Sequence, residues 1–403
     1  MKNLMRLVIL SFLSLLMVYC IEGKSSKINE TPNTFTLNAE LEGLTSDYLV
    51  YSEKNDNYPS GYRMDTLWVK DQKFTFTDSV DTYKLYFITV PEAVREFKQL
   101  IGGKEYTLST KANVCRLWFI GYPGAEIEYK GKVANYMVDA YPHDSINDDL
   151  AFINSKVFPL QNAMNAISVD QSIKNLDQAE RQILSDSSNK LYEKIRDLKH
   201  DFIKSHTGSL AASYVFNDAY YRNYYSQEEA EALFKNFDST KLSGTPFYDE
   251  IKQRLDAVKK TGIGMQAPEL TTTHTLDGSE FKLSSLRGNY VLLDFWGTWC
   301  GPCMGEMPRI KDYYNKYSDK NFVVLGVNSG DTTDRWKNAI EENGFNWRHI
   351  QTTKDNDLLI PFDVNSFPTK ILLDPNGKII YSSKNTEEKI DLYQMIDNIF
   401  TTS

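Results

Sequence analysis

Two cysteines stand three residues apart in Trp299-Cys300-Gly301-Pro302-Cys303, and this short sequence identifies the architecture of the C-terminal third of the chain. It follows the apolar run Tyr290-Val291-Leu292-Leu293-Asp294-Phe295-Trp296, which is typical of a buried strand, and it precedes a helical pattern. A helix that begins beside the first cysteine stabilises the thiolate of that residue through its dipole. Because the thiolate is the nucleophile in disulfide exchange, the spacing and the setting together predict a reversible dithiol/disulfide pair.

Strand and helix patterns alternate around this motif, over residues 264–403. Near-continuous apolar runs at 291–295 and 322–327 are typical of central strands in a parallel sheet. The sequence Asp374-Pro375-Asn376-Gly377 predicts a hairpin turn, and a last helix is expected at about 387–400. The segment is therefore predicted to form an α/β domain with a mixed sheet.

The preceding part of the chain has two different characters. Residues 27–132 contain short runs of β-favouring residues that alternate with period two, which predicts an all-β domain of sandwich or barrel type. Residues 134–260 are rich in helix formers, and an apolar stripe at helical spacing is formed by Leu191, Ile195, Leu198 and Phe202. Residues 259–264 are expected to link this helical region to the α/β domain. The fold class is thus a multidomain chain: all-β, then helical, then α/β.

Length and charge narrow the class of protein. A chain of 403 residues is too long for one ordinary hydrophobic core, which agrees with several domains. The net charge of −9 argues against a nucleic-acid-binding protein, since such proteins usually carry a basic surface.

Residues 1–20 are predicted to be a signal peptide or lipoprotein signal. Lys2 and Arg6 precede an apolar run at 7–18, and Cys20 follows it. A cysteine at this place resembles a bacterial lipoprotein processing site, where the cysteine is acylated and anchors the protein to a membrane. Simple cleavage and an uncleaved anchor are the alternatives, and all three deliver the chain beyond the cytoplasmic membrane.

Residues 264–403 resemble the thioredoxin superfamily, and within it the membrane-associated bacterial thiol-disulfide oxidoreductases of the TlpA/ResA type. The resemblance rests on four sequences: Gly264-Met265-Gln266-Ala267-Pro268, the run from Phe295 to Cys300, Pro308 in the helix after the cysteines, and Phe367-Pro368-Thr369. The long separation of Cys303 from Pro368 is similar to that of the TlpA/ResA branch, which carries a strand-helix insertion. The upstream regions resemble a domain of unknown function that often precedes thioredoxin domains in envelope proteins of Bacteroidetes-like bacteria.

Both the residues and the resemblance give roles to the catalytic candidates. Cys300 is expected to be the exposed cysteine and to attack a substrate disulfide, and Cys303 is expected to resolve the mixed disulfide that results. The resemblance matches Asp294 to the buried acid beneath the thioredoxin disulfide, where a carboxyl with a raised pKa can exchange the proton of Cys303. It also places Glu306 at the active-site cavity, one helical turn after Cys303.

The predicted substrate-binding residues surround the cysteines. Gly301 and Pro302 permit the tight turn between the two sulfurs. The resemblance implies a cis bond before Pro368, which would expose the backbone of Phe367 to a substrate peptide. Trp299 is expected to offer an apolar contact surface beside the disulfide.

Other interpretations are weaker. A zinc site would need a second cysteine or histidine pair, so no metal is predicted, and no cofactor apart from the redox-active disulfide of Cys300 and Cys303. A thiol-dependent peroxidase is the alternative enzyme, but it would need threonine where Gly297 stands. A partner-binding module with a redox-regulated thioredoxin domain is the third reading. Cys115, in a strand-like run, is expected to be a small buried residue, and His349 is expected to lie outside the site.

The sequence therefore predicts a thiol:disulfide oxidoreductase of the cell envelope that reduces protein disulfides. Its expected partners are protein thiols and disulfides, a membrane thiol donor of electrons and the membrane that holds the lipid on Cys20, but no nucleic acid. The direction of electron flow stays open, since dithiol pairs of this spacing have potentials from roughly −270 to −120 mV. The branch implies cytochrome maturation, although no residue of this chain specifies it.

Overall fold

The computed structural model describes residues 33–54, 62–101, 104–110, 112–353, 355–384 and 391–401. The predicted signal segment with Cys20 lies outside these residues, and so does the predicted start of the last helix near 387. Along the described residues the chain forms a β-rich region, then a helical region, then an α/β domain, which confirms the predicted order.

Ten strands make up the described part of the N-terminal region. They are β1 (Thr34–Glu42), β2 (Tyr48–Lys54), β3 (Tyr62–Trp68), β4 (Lys73–Ser79), β5 (Lys84–Thr89), β6 (Arg95–Ile101), β7 (Lys104–Thr110), β8 (Arg116–Gly121), β9 (Glu126–Ala134) and β10 (Met137–His143). The largest sheet has the order β10-β9-β1-β4, and β1 is parallel to β9. Three antiparallel pairs, β2-β3, β5-β8 and β6-β7, complete the region. Alternate residues turn inward and build an aromatic core around Phe35, Phe76, Tyr86 and Phe119.

The β region ends at His143, so its predicted end at 132 and the predicted helical start at 134 are wrong. Strand β10 pairs with β9 along its whole length and buries Val138 and Ala140. The turn between these strands has positive φ at Asn135 and Tyr136, 52° and 59°. A turn of this shape usually contains glycine, and its absence removed the hairpin signal from the sequence.

Six helices follow β10: α1 (Asp148–Ile173), α2 (Gln178–Ser205), α3 (Leu210–Tyr221), α4 (Gln227–Phe234), α5 (Ser239–Leu242) and α6 (Pro246–Lys260). The predicted stripe on α2 faces inward, with Ile195 and Phe202 fully buried. The helices and the β strands share one continuous hydrophobic core. They therefore form one unit instead of the two separate regions that the change of sequence pattern predicted.

The C-terminal domain is a mixed five-stranded sheet of order β15-β14-β13-β16-β17. Its strands are β13 (Tyr290–Trp296), β14 (Phe322–Asn328), β15 (Arg348–Gln351), β16 (Thr369–Leu373) and β17 (Ile379–Ser382), after a small ribbon of β11 (Thr271–Thr272) and β12 (Phe281–Lys282). Strands β13, β14 and β15 are parallel, and β16 and β17 run antiparallel to their neighbours. Helices α7 (Gly301–Tyr317), α8 (Thr333–Asn343) and α9 (Leu392–Thr401) complete it.

The central strand β13 leads directly to the cysteines and has a separate core on each face of the sheet. One core contains Trp296, Met307 and Tyr317, and the other contains Phe295, Phe362 and Ile371. Among the helices of the described residues, none combines the length and the apolar character needed to cross a bilayer.

Candidate active site

The two cysteines lie where β13 ends and α7 begins. Cys300 is the N-cap of α7, its Sγ accepts a hydrogen bond from the backbone N–H of Cys303 at 3.2 Å, and the two sulfurs form a disulfide. Pro302 stands in the first turn, where a helix needs no N–H donor. Gly301 and Pro302 are exposed between the cysteines. The expectation that Cys300 is the exposed cysteine is wrong for this disulfide form, since Cys300 is 5% exposed and Cys303 is 2% exposed.

A buried carboxylate holds the loop that enters the disulfide. The backbone N–H and the hydroxyl of Thr298 donate to Asp331 at 2.8 and 2.5 Å, and Asn328 Nδ2 donates to the same side chain at 2.7 Å. Asp331 is 1% exposed and lies in the loop after β14. The sequence analysis missed this residue, although an acid just beyond the end of a buried parallel strand is a signal for it.

The loop also leaves no room for a side chain at residue 297. A Cβ on Gly297 would lie 2.4 Å from Nε1 of Trp299 and 2.7 Å from the carbonyl oxygen of Ser329. The indole of Trp299 donates to that carbonyl at 2.8 Å, so the close packing is held by a hydrogen bond. The threonine that the peroxidase alternative requires at this position has no space in this loop.

An exposed aromatic edge lies beside the disulfide. Trp299 is 51% exposed, and its ring packs edge-on against Phe367 with ring centroids 5.2 Å apart. The peptide bond from Phe367 to Pro368 is cis and leads into β16. Trp296, by contrast, is fully buried inside the domain. The structure therefore brings together Trp299 and Phe367 from two distant parts of the chain next to the N-terminus of α7.

A chain of buried charges connects the central strand to the active-site helix. Asp294, 1% exposed in β13, stands opposite Lys370 of β16, and Lys370 Nζ lies 3.2 Å from Asp294 Oδ1. The same Nζ lies 2.8 Å from Oε2 of Glu306, one turn after Cys303 on α7. Tyr393 of α9 donates its hydroxyl to the other oxygen of Glu306 at 2.8 Å. Asp294 and Glu306 thus share one ammonium group.

Burial and ion pairing shift the pKa values of these groups in opposite directions. Burial raises the pKa of Asp294, and the Lys370 ammonium only partly opposes it. Burial alone would also raise the pKa of Glu306, but hydrogen bonds from Lys370 and Tyr393 hold that pKa below its usual value. Burial would lower the pKa of Lys370, but the two carboxylates raise it. Lys370 therefore stays charged, and Asp294 is the group that can take up a proton.

Sequence reasoning missed both Lys370 and Tyr393. Lys370 lies within the run Thr369-Lys370-Ile371-Leu372-Leu373, which is otherwise that of a buried strand. A lysine in such a strand is almost never fully buried without a partner, and that is the signal that could have found it. Tyr393 gives no comparable signal, because its partner lies far away in the sequence.

Two other residues lie outside the site. His349 is buried on β15 against Trp296, and burial lowers its pKa to about 4, so the imidazole is neutral at neutral pH. Cys115 is buried in the β region, where its thiol donates to the carbonyl of Ala93 at 2.9 Å, which confirms its expected burial. Within the described ranges, no group of three side chains suited to a metal ion occurs.

Comparisons with known proteins agree with this geometry. A family model described as "AhpC/TSA family" matches residues 263–382, and one described as "Domain of unknown function (DUF4369)" matches residues 35–120. Thiol-disulfide oxidoreductase ResA of Bacillus cereus is 29% identical over 158 residues, which cover 39% of this chain and 90% of that protein. ResA of Bacillus anthracis is 31% identical over 137 residues, covering 34% of this chain and 78% of that protein.

Solved structures from Bacteroides are similar as well. The thioredoxin domain of a thiol-disulfide oxidoreductase from Bacteroides vulgatus is 35% identical, covers 34% of this chain and 97% of its own, and has a TM-score of 0.31. A thiol:disulfide interchange protein from a Bacteroides species is 34% identical, covers 36% and 93%, and has a TM-score of 0.32. The two family models and the ResA relatives confirm the resemblance that the sequence motifs predicted for both ends of the chain.

Proposed function

The chain belongs to the ResA-like thiol-disulfide oxidoreductases, and on that premise we propose that it reduces protein disulfides in the cell envelope. The observation that carries the proposal is the placement of the Cys300–Cys303 disulfide at the N-terminus of α7, beside the exposed ring of Trp299. An apolar edge next to a redox-active pair suits an unfolded or partly folded protein as substrate, because such chains expose apolar side chains.

Reduction follows two exchanges of sulfur bonds. The thiolate of Cys300 attacks the substrate disulfide, so a Cys300–substrate bond forms and one substrate sulfur leaves with the electron pair of the broken bond. Cys303 then attacks Cys300, which forms the protein disulfide and releases the second substrate sulfur. The substrate gains two electrons and two protons, and the protein dithiol loses them. A second dithiol must then reduce the protein again.

Asp294 supplies a place for the proton of Cys303 in the second exchange. Its carboxyl is fully buried and its pKa is raised by burial, which suits a group that takes up and returns a proton. Glu306 marks the face of α7 that carries Cys303, because side chains three residues apart are neighbours on a helix. The charged cluster thus connects the central strand to the helix that carries the resolving cysteine.

The site should lose turnover when Cys300 is replaced by serine. With dithiothreitol as electron donor, we expect the full chain to reduce insulin disulfides and Cys300→Ser to lose at least about 1,000-fold of that rate, because no mixed disulfide can form. Cys115→Ala is the matched control, since that thiol is buried in another region, and it should keep the rate. Normal turnover in Cys300→Ser would refute the proposal.

The reducing direction is tested by the potential of the cysteine pair. We expect a value near the reducing end of the range, at about −270 mV, as measured by equilibration with a thiol buffer. A potential near about −120 mV would instead make the protein an oxidant of substrate thiols.

The envelope location and the lipid anchor rest on the sequence of residues 1–20. We expect Cys20 to be acylated and to hold the chain at a membrane, where a membrane thiol donor can reduce the Cys300–Cys303 disulfide. Fractionation of cells that produce Cys20→Ala tests this, and retention of that variant in the membrane fraction would contradict the anchor.

A further inference from the structure

Lys370 is a buried cation in the middle of the C-terminal sheet. It is 4% exposed, and it stands directly opposite Asp294 in the pairing of β16 with β13. An ammonium group loses its hydration on burial, which is unfavourable unless anions lie close to it, so the two close carboxylates are required partners. One of these, Asp294, belongs to the strand that leads to Cys300, and the other, Glu306, belongs to the helix that carries Cys303.

Glu306 is itself fixed from a second side. Tyr393 donates to its Oε1, and the guanidinium of Arg309 lies 3.7 Å from the centre of the Tyr393 ring. Among the described residues, the other titratable groups that face the cluster are Tyr381 on β17 and Asp391 before α9, which lies 3.8 Å from Arg309. The ammonium of Lys370 is therefore the group that connects the two carboxylates, while the surrounding groups hold Glu306 in place.

We propose that Lys370 is a positioning residue that joins Asp294 and Glu306 into one proton-holding unit and thereby sets the pH range in which Cys303 resolves the mixed disulfide. The proposal rests on the thiol-disulfide exchange described above. In that step Cys303 gives its proton to Asp294, the Cys303–Cys300 bond forms, and the Cys300–substrate bond breaks. The leaving substrate sulfur takes the electron pair and then a proton, so that no oxidant or reductant is needed beyond the substrate.

The two neighbours of Asp294 act on it with opposite sign. The ammonium of Lys370 favours the charged form of Asp294, whereas the carboxylate of Glu306 disfavours it. Removing the cation should therefore delay ionisation of Asp294 to higher pH. Removing the charge of Glu306 should allow ionisation at lower pH. A merely structural role for Lys370 would predict no such pair of opposite changes.

The resolving step can be followed directly with 5,5′-dithiobis(2-nitrobenzoate) and the reduced full chain. The first coloured thiolate is released when Cys300 attacks the reagent, and the second when Cys303 attacks the mixed disulfide. The rate of the second release is measured in a stopped-flow instrument from pH 5 to pH 10. The wild type, Lys370→Met, Lys370→Arg and Glu306→Gln are compared.

We expect Lys370→Met to move the midpoint of this profile to higher pH, with a rate roughly tenfold lower at pH 7 that approaches the wild-type rate in alkali; a tenfold change corresponds to about one pH unit. Glu306→Gln should move the midpoint to lower pH. Lys370→Arg keeps the positive charge, so its midpoint should stay close to that of the wild type. A uniform loss of rate without a shift, or shifts of the same sign in Lys370→Met and Glu306→Gln, would overturn the proposal.

The route through Asp294 has its own test. In the Asp294→Asn background, adding Lys370→Met should produce no further shift, because the group through which Lys370 acts is gone. A full shift in that background would overturn the route. Failure of the wild type to release the second thiolate would instead refute the proposed function, so the two failures are distinguishable. If Lys370→Met does not fold, the direction of the Glu306→Gln shift still decides the question.

Discussion

Two of the buried aspartates of the C-terminal domain, Asp294 and Asp363, differ in where the cations around them come from. Asp294 is paired with Lys370 inside the domain, one step from the active-site helix. Asp363 is 3% exposed and is paired with Lys384 of its own domain, while Arg254 of α6 lies 3.9 Å away across the boundary with the helical region. A buried carboxylate needs a nearby cation, whether that cation comes from the same domain or from a neighbouring region. The origin of the cation therefore separates the cluster that we propose to serve the redox step from the cluster that joins two regions of the chain.

The second cluster reaches the loop that ends in the cis bond. Arg254 is 5% exposed, binds Glu250 on its own helix at 2.9 Å and extends towards the carbonyl of Val364 at 3.5 Å. One residue further, the amide of Asn365 donates to Asn223 of the helical region at 3.3 Å. The helical region therefore contacts residues 363–365, just before Phe367 and Pro368. The contact stabilises the position of this loop.

The largest difference between the clusters should appear in the rate of the resolving step. Asp294→Asn removes the proposed proton acceptor, and we expect the second thiolate release at pH 7 to fall by about 100-fold, the lower end of the range for general acid–base groups. Asp363→Asn is the matched variant, with the same change at an equally buried residue, and its rate should stay within about threefold. Equal losses of this rate in both variants would show that the two clusters do not differ in their effect on the resolving step.

The assembly role of the second cluster should appear in unfolding. Arg254→Met removes the cation that crosses the boundary, and we expect the free energy of unfolding in urea to fall by about 2 kcal/mol, since Lys384 still pairs with Asp363. The potential of the cysteine pair should not change. Lys252→Met on the same helix removes an exposed pair with Asp256 and should leave the free energy of unfolding essentially unchanged, because water screens such pairs. A changed potential in Arg254→Met would place this cluster in the redox chemistry.

The two clusters also differ in how much of each the sequence could predict. Asp294 was found because it stands six residues before Cys300 in a recognisable motif. Lys370 and Arg254 were not, because each meets its partner only after distant elements pair: β13 with β16, and α6 with the loop at 363–365. In addition, Asp363 has a left-handed φ of 48°, which its residue type does not predict. Residues that belong to a local sequence motif were predictable. Contacts between residues that are distant in the sequence were not.

The same limit explains the outcome for the larger architecture. The strand order around the cysteines follows from apolar runs that are continuous in sequence, such as 291–295 and 322–327, and the structure has them as β13 and β14. The shared core of the β and helical regions depends on which faces meet, for example Ile153 of α1 with the β-region core. Alternation and helical spacing show that a face is apolar, but they do not show which other face covers it.

The smallest expected effects are changes in the free energy of unfolding with pH. The contributions of Asp294 and Glu306 to that free energy should change in opposite directions as the pH rises. Burial raises the pKa of Asp294, so the protonated form of this residue favours folding. That contribution to stability is lost as the pH rises from the pKa of Asp294 in the unfolded chain through its pKa in the folded chain. Asp294→Asn should therefore match the wild type in acid and exceed its free energy of unfolding at pH 8. The pKa of Glu306 is lowered by Lys370 and Tyr393, so its contribution is present above the unfolded value and is lost on acidification.

Glu306→Gln should consequently be less stable than the wild type at pH 8, and the gap should close as the pH falls below about 4. Urea unfolding of both variants at pH 3.5 and pH 8 measures the two signs directly. If Asp294→Asn is the less stable protein at pH 8, the Lys370 ammonium outweighs burial, and Asp294 is ionised at rest. It would then be a fixed anion beneath the disulfide, and the proton of Cys303 would have to leave by another route.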